Sequence, residues 1–193
     1  LVRATKSNDE RWSASDGRKT GGEMVDKVSL ERGEPHQKAV LENLIQLYIH
    51  DFNDFLAPER KIGVEEDGRF ADVLKLERYW TEADRAVWFI RAGGQLAGFA
   101  LLNKVSHCGR AVDFNMGEFF VARPFRRDGI GARAAIDVIE THKGQWEIAI
   151  GERNLPAKAF WPRVAAAANV SDVETLSGDG VTWTGPILRC VAR

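Results

Sequence analysis

Cysteine is scarce in this chain, long apolar runs are missing, and neither sign of charge dominates. The only cysteines, Cys108 and Cys190, follow no metal-ligand or redox spacing, which argues against a zinc module and a disulfide scaffold. Two buried structural thiols are expected, with a pair that meets in space left open. His36, His107 and His142 show no metal spacing and are expected on the surface or in loops, so no metal is expected. No stretch approaches the ~20 apolar residues that span a bilayer, and the opening residues do not read as a signal peptide. A cytoplasmic protein without membrane association is the expectation. With 27 Lys and Arg against 28 Asp and Glu, no global charge attracts nucleic acid or an anionic surface. Electrostatic recognition, if present, has to be local.

What is present suffices for one ordinary core: 193 residues, 44% hydrophobic. Residues 1–26 mix both charges with Ser and Gly around a single aromatic, Trp12, and are expected to form a poorly ordered arm or leader. The start at Leu1, with Met24 just before the first strand-like run, suits an extension. Residues 27–193 are read as one domain.

VSLERG (28–33) alternates like a strand, and Glu34 to Phe55 repeats apolar residues at helical spacing through Val40, Leu41, Leu44, Ile45, Tyr48 and Phe52. A loop around Pro58 and EEDGR (65–69) leads to a second expected helix over Ala71–Trp80. Residues 86–102 hold two apolar runs joined by Gly93-Gly94, a hairpin pattern. A third strand over Ala111–Ala122 runs into a helix over Gly129–Thr141, followed by the strand WEIAI (146–150). A helix starts near Pro156, where proline suits the first turn, and Pro162 should kink or end it after Trp161. A closing hairpin turns at SGDG (177–180). Trp80, Trp88, Trp146 and Trp183 sit in apolar stretches and are read as core.

The stretch FFVARPFRRDGIGARAAI (119–136) passes from apolar to basic to glycine-rich and back. Gly129-Ile130-Gly131-Ala132-Arg133-Ala134 matches the dinucleotide pattern G-x-G-x-x-A, and Glu152 follows about 20 residues later like a ribose-binding acid. A dinucleotide fold, however, begins its parallel sheet at that motif, and only about 60 residues remain after it here. Taken instead as a unit, Arg126-Arg127-Asp128-Gly129-Ile130-Gly131 is a strand-to-helix turn suited to a pyrophosphate. Glycines let amides turn inward, the helix start is partially positive, and the arginines add fixed charge.

That unit, with the strand before it, resembles the acetyl-CoA motif of the GNAT superfamily of N-acetyltransferases: Gln or Arg, two residues, Gly, one residue, Gly or Ala. Asn154-Leu155-Pro156-Ala157-Lys158-Ala159-Phe160-Trp161 is similar to the superfamily's second cofactor motif, N-x-x-A-x-x followed by Phe, Leu or Tyr and then Tyr. LYIHDFNDF (47–55) also resembles one poorly characterised bacterial branch of the superfamily. The resemblance implies an α/β GNAT fold, a mixed, mostly antiparallel sheet with a splayed strand pair, flanked by helices.

The resemblance further implies acetyl transfer from acetyl-CoA to a primary amine by direct attack in a ternary complex, with no covalent enzyme intermediate. Val121 would polarise the thioester carbonyl through its backbone N–H. Arg126, Arg127, Asp128, Gly129, Ile130, Gly131 and Ala132 would hold the pyrophosphate, Asn154 the pantetheine arm, and Phe160 and Trp161 would pack beside it. An amine with a lysine-like pKa near 10.4 needs about 3.4 units, roughly 4.6 kcal/mol, to be neutral at pH 7, so a base is useful. Glu118, three residues before Val121, is the candidate; alternatively its side chain faces the other side of the sheet and only pairs with an arginine. Asp113 is a second choice.

One position departs from the pattern: Trp161 stands where tyrosine commonly protonates the leaving thiolate. The only tyrosines, Tyr48 and Tyr79, lie far upstream, so either one returns through the fold or water serves. On the acceptor side, Tyr48, Asp51 and Asp54 near the end of the first helix are the substrate-binding candidates for a cationic amine, and a solvated face is the bland alternative. The acceptor is a small-molecule or protein amine, and a homodimer stays open. The second reading of the whole chain is an acyl-CoA-binding or regulatory module without transfer chemistry, which Trp161 favours.

Overall fold

The computed structural model describes residues 27–193; the expected arm over 1–26 lies outside them. The chain runs through β1 (Val28–Arg32), α1 (Lys38–Phe52), α2 (Arg78–Thr81), β2 (Ala86–Ala92), β3 (Gln95–Asn103) and β4 (Phe114–Val121), then α3 (Ile130–Thr141), β5 (Gly144–Ala149), α4 (Leu155–Ala167), β6 (Val170–Ser177) and β7 (Pro186–Ala192). All strands join one sheet in the order β1-β2-β3-β4-β5-β7-β6. Every neighbouring pair is antiparallel except β4–β5, as a strand, helix, strand unit requires.

The helices divide between the two faces. On α1, Leu41, Leu44, Ile45 and Ile49 recur at helical spacing and are buried against Val87, Phe89, Phe99, Leu101 and Phe120. Each such side chain contributes about 1.5–3 kcal/mol when removed from water. On the opposite face α3 and α4 bury Ala135, Val138, Ile139, Trp161 and Val164 against Met116, Trp146, Ile148 and Leu188. Among the described residues no helix is long and apolar enough to cross a membrane.

One expectation fails locally, and of the two outcomes expected at Pro162, a kink or an end, the end does not occur. The helix read over Ala71–Trp80 shrinks to α2, because Lys75 adopts a left-handed φ of 51° and the Asp72 carboxylate takes the Leu76 N–H at 3.3 Å, an alternative to the helical bond. Pro162 does not end its helix either: α4 continues to Ala167 around it. Burial of Trp161, Val164 and Ala165 outweighs the ~3 kcal/mol that an interior proline costs.

Two features of β4 position everything that follows. Its parallel pairing with β5 is confined to Phe114↔Trp146 and Asn115↔Glu147, so the strands diverge from Met116 onward. Against β3, Leu101 faces Glu118 while Leu102 faces Met116, which leaves Gly117 as an extra, bulged residue. A bulge adds twist and reverses the alternation of side chains. Phe114 and Met116 therefore point to the α3 and α4 face, as do Phe119 and Val121, whereas Phe120 packs on the α1 side.

Candidate active site

The divergence of β4 from β5 opens a gap whose edge is the free side of β4. Ala122 N–H donates to Ala97 O of β3 at 2.8 Å. Successive amides of a strand point in opposite directions, so the Val121 N–H points away from β3, into the gap. Its carbonyl faces the same way and accepts the Arg126 Nε–H at 2.5 Å. The α3 and α4 side of the gap is floored by aromatics: Phe119 stacks on Phe160 at 5.9 Å and meets Trp161 edge-on at 5.3 Å.

Beyond Val121 the chain makes one short turn over Arg123–Phe125 and then bends into α3. Arg127 (φ 72°) and Gly129 (φ 81°) are left-handed while Asp128 between them is not, an alternation that turns successive amides toward one concavity. For arginine this backbone is strained, whereas glycine adopts it freely. The first intrahelical bond runs from Arg133 N–H to Gly129 O at 3.0 Å, so the amides of Ile130, Gly131 and Ala132 have no partner within the helix. Arg127, Asp128 and Gly129 are exposed and Ile130 is buried. Gly131 lies beside the strand end: a Cβ added there would stand 3.5 Å from Val121 Cγ2 and 3.8 Å from Phe160 Cε2. The turn thus meets the gap and its aromatic floor, and its inward-turned amides make it able to hold an anion.

Asn154 caps α4, its Oδ1 accepting the Ala157 N–H at 3.1 Å. The dinucleotide alternative is overturned: the glycine motif follows the fourth strand of a mostly antiparallel sheet, and Glu152 pairs with Lys158 at 2.7 Å.

On the α1 face of the sheet stands Glu118. The Gly117 bulge turns it there, and no arginine among the described residues meets it; the Tyr48 hydroxyl of α1 donates to its Oε2. Burial pushes the Glu118 carboxyl up to about 7, and the Tyr48 hydrogen bond pulls the other way. Burial, reinforced by the Glu118 charge, holds the Tyr48 phenol well above its ordinary range, so it acts as a donor at neutral pH. Tyr79 also arrives on this face, its hydroxyl accepting from Asn103 Nδ2 at 3.1 Å. Both tyrosines of the chain thus return through the fold, to the face opposite Trp161.

The other acceptor-side candidates separate. Asp51 is gripped by two arginines: its Oδ1 accepts from Arg123 Nε and Nη2 at 3.1 and 2.8 Å, its Oδ2 from Arg126 Nη2 at 2.6 Å. Asp54 is exposed on the turn after α1. Asp113 lies at the far end of β4, where it accepts the Gln145 N–H at 2.9 Å, and so stands away from the gap. Sequence reasoning missed Arg123 and a polar row across the α1 face, Asn103, Asn115, Glu147 and Arg189, which are direct cross-strand neighbours. No local spacing marks them, since each pair spans different strands.

One thiol meets the expectation of burial and the other does not. Cys190 is buried, and burial pushes it up to about 11. Cys108 is only partly buried, 3.2 Å from Glu147 Oε2 and 3.3 Å from Arg189 Nη1, and both cysteines are free. Among the described residues no group of three or more His, Cys, Asp or Glu is placed to hold a metal ion.

Comparisons place this geometry. The chain matches the acetyltransferase (GNAT) family over residues 41–165. Solved structures of similar fold include an acetyltransferase from Thermus thermophilus (14% identity, 86% of this chain and 97% of that chain covered, TM-score 0.59). They also include the PaiA N-acetyltransferase of Thermoplasma acidophilum in complex with coenzyme A (10%, 84% and 97%, 0.56). A third is the microcin C7 self-immunity acetyltransferase MccE in complex with acetyl-CoA and AMP (18%, 86% and 93%, 0.54). No curated protein matches the chain. With well over half of its 193 residues aligned to the family, including the splayed strands and the turn after β4, this chain belongs to the GNAT acetyltransferases.

Proposed function

We propose that the protein transfers an acetyl group from acetyl-CoA to a primary amine, a small molecule or a protein side chain, by direct attack in a ternary complex in the cytoplasm. The observation that carries this reading is the pair of groups on β4. The Val121 N–H points into the gap between β4 and β5, and the raised carboxyl of Glu118 stands three residues earlier on the α1 face. A thioester in the gap would place its carbonyl oxygen at the Val121 amide, where negative charge develops as the tetrahedral intermediate forms. Glu118, tuned near neutrality, would accept the amine's proton, and the Tyr48 hydroxyl would orient it and stabilise its ionised form. The amides at 127–132 would hold the pyrophosphate, aided by Arg127. Phe160 and Trp161 would line the pantetheine channel, and Asn154 would border it. The microcin and Thermoplasma relatives, crystallised with acetyl-CoA and coenzyme A, support the choice of cosubstrate.

A CoA-binding module without transfer chemistry is the second reading, favoured by one observation: Trp161 is buried against Phe119 where tyrosine is common, and an indole N–H is no acid for a leaving thiolate. Calorimetry and a thiol-release assay over an amine panel separate the two. Wild type should bind acetyl-CoA at micromolar concentration and release thiol only with amine present. Gly131→Glu should weaken binding at least about tenfold, or 1.4 kcal/mol, since Gly131 lies in ordinary helical backbone, its Cβ makes only van der Waals contacts, and the carboxylate beyond it repels an anion and occupies the mouth of the gap. Tight binding without amine-dependent release would favour the module; no binding by the folded wild type would exclude both.

A further inference from the structure

Asp51 joins three parts of the molecule that are distant in sequence. It lies in the fourth turn of α1, on the Glu118 side of the sheet, yet its carboxylate is spent on two arginines of the turn just after β4 rather than on open solvent. Its side chain is 16% exposed, against 66% for Arg123 and 38% for Arg126. Burial disfavours its charge, but Arg123 and Arg126 outweigh that and hold it below the usual carboxylate range. Arg126 is itself fully committed in direction: Nη2 to Asp51 Oδ2 at 2.6 Å, Nε to Val121 O at 2.5 Å, and the guanidinium carbon 5.3 Å above the Phe120 ring.

The consequence is mechanical. Val121 is the last residue of β4, and its N–H and C=O both face the gap, where none of the described strands pairs with them. A strand end of that kind frays unless something holds it. Arg126 supplies the missing hydrogen bond, and Asp51 fixes the planar fork of Arg126 so that its Nε is aimed at the carbonyl. With the carbonyl held, the N–H of the same residue is restrained as well: the two groups lie in adjacent peptide planes, but they share a direction as long as the residue stays extended. A donor held in place before the reaction stabilises developing charge far better than one that must reorient.

We infer that Asp51 is a positioning residue for acetyl transfer: through Arg126 it holds the backbone at Val121 extended, and with it the N–H offered to the thioester carbonyl. Asp51 then contributes from the acceptor helix to the donor half of the site, without touching substrate. This rests on the acetyltransferase reading above, and its test does not need the identity of the amine.

The experiment follows the carbonyl stretch of acetyl-CoA labelled with carbon-13 in the acetyl carbonyl, by difference infrared spectroscopy, in wild type, Asp51→Asn and Arg126→Lys. Arg126→Lys keeps the charge but loses the fork, and covers the case in which Asp51→Asn folds poorly. Wild type should lower the stretch on binding. Both variants should lose roughly half or more of that shift, while Asp51→Asn, which lies outside the cofactor loop, binds desacetyl CoA within about threefold of wild type and thermal unfolding of both stays cooperative. An unchanged shift in both variants, with acetyl-CoA bound, overturns the inference and leaves the transferase reading standing. Tighter acetyl-CoA binding by the variants would also overturn it, since Arg126 would then be a plug that the cofactor has to displace. Absence of any acetyl-CoA binding by wild type removes the transferase reading itself.

Discussion

Glu118 sits under two opposed influences, and their balance gives it its chemistry. Burial raises its carboxyl toward about 7 from an ordinary value of 4.5, while the Tyr48 hydroxyl favours the ionised form. The folded state therefore holds a proton between those two pH values that the unfolded chain has already released. Stability falls as pH rises from about 4.5 to about 7, and above that the full cost is present. Glu118→Gln removes a charge that the fold disfavours. The variant should be more stable than wild type at pH 8 by roughly 1–3 kcal/mol and indistinguishable at pH 4, read by denaturant unfolding at the two pH values. The same substitution should lower kcat/KM about a hundredfold or more and abolish the rise in rate near pH 7, because an amide cannot take a proton. A variant that gains stability but keeps its rate would leave Glu118 structural.

At the scale of elements, the strand end of β4 depends on how closely β3 approaches it. A Cβ added at Gly98 would lie 2.0 Å from Phe120 O and 3.0 Å from Val121 Cα, both backbone atoms that cannot swing aside. Gly98→Ala must push β3 from β4 beside the proposed oxyanion donor. It should cost about 1–3 kcal/mol in unfolding free energy and reduce kcat by more than it raises the KM for acetyl-CoA. Denaturant melts and initial rates check the two parts. α4 illustrates the opposite balance. Pro162 disfavours helix, yet the buried side chains on either side of it carry the helix through, so local propensity yields to packing.

At the scale of the whole molecule, the α1 face of the sheet is tied together by a polar row that crosses from β3 to β7. Glu147, fully buried, accepts from Arg189 at 2.7 Å, Ser106 at 2.9 Å and the His107 N–H at 2.5 Å. Arg189 reaches on to Ala111 O at 2.8 Å. One ion pair therefore fastens the loop between β3 and β4 onto the sheet. Arg189→Ala leaves Glu147 buried and unpaired, and should destabilise by about 3–5 kcal/mol in denaturant unfolding. The double variant Glu147→Gln with Arg189→Met should lose less than the single one. A small effect of Arg189→Ala would mean that water replaces the guanidinium.

The amino-acid order by itself determined the strand, helix, strand unit around residues 114–149, the hairpin at Gly93-Gly94 and the glycine turn after β4. These are local: periodicity, turn chemistry and a motif each lie within a few residues of one another. It also marked Val121, Glu118 and residues 126–132 as a set, through the resemblance their spacing carries. What only the tertiary structure decided is the face on which Glu118 stands. Simple alternation from Phe114 and Met116 puts it with α3 and α4; one extra residue, Gly117, paired against a β3 that lies elsewhere in the sequence, turns it to α1 and Tyr48. The grip of Asp51 on Arg123 and Arg126 is of the same kind. Both are contacts across some 70 residues of chain, and register and side-chain reach exist only once the sheet and helix have packed.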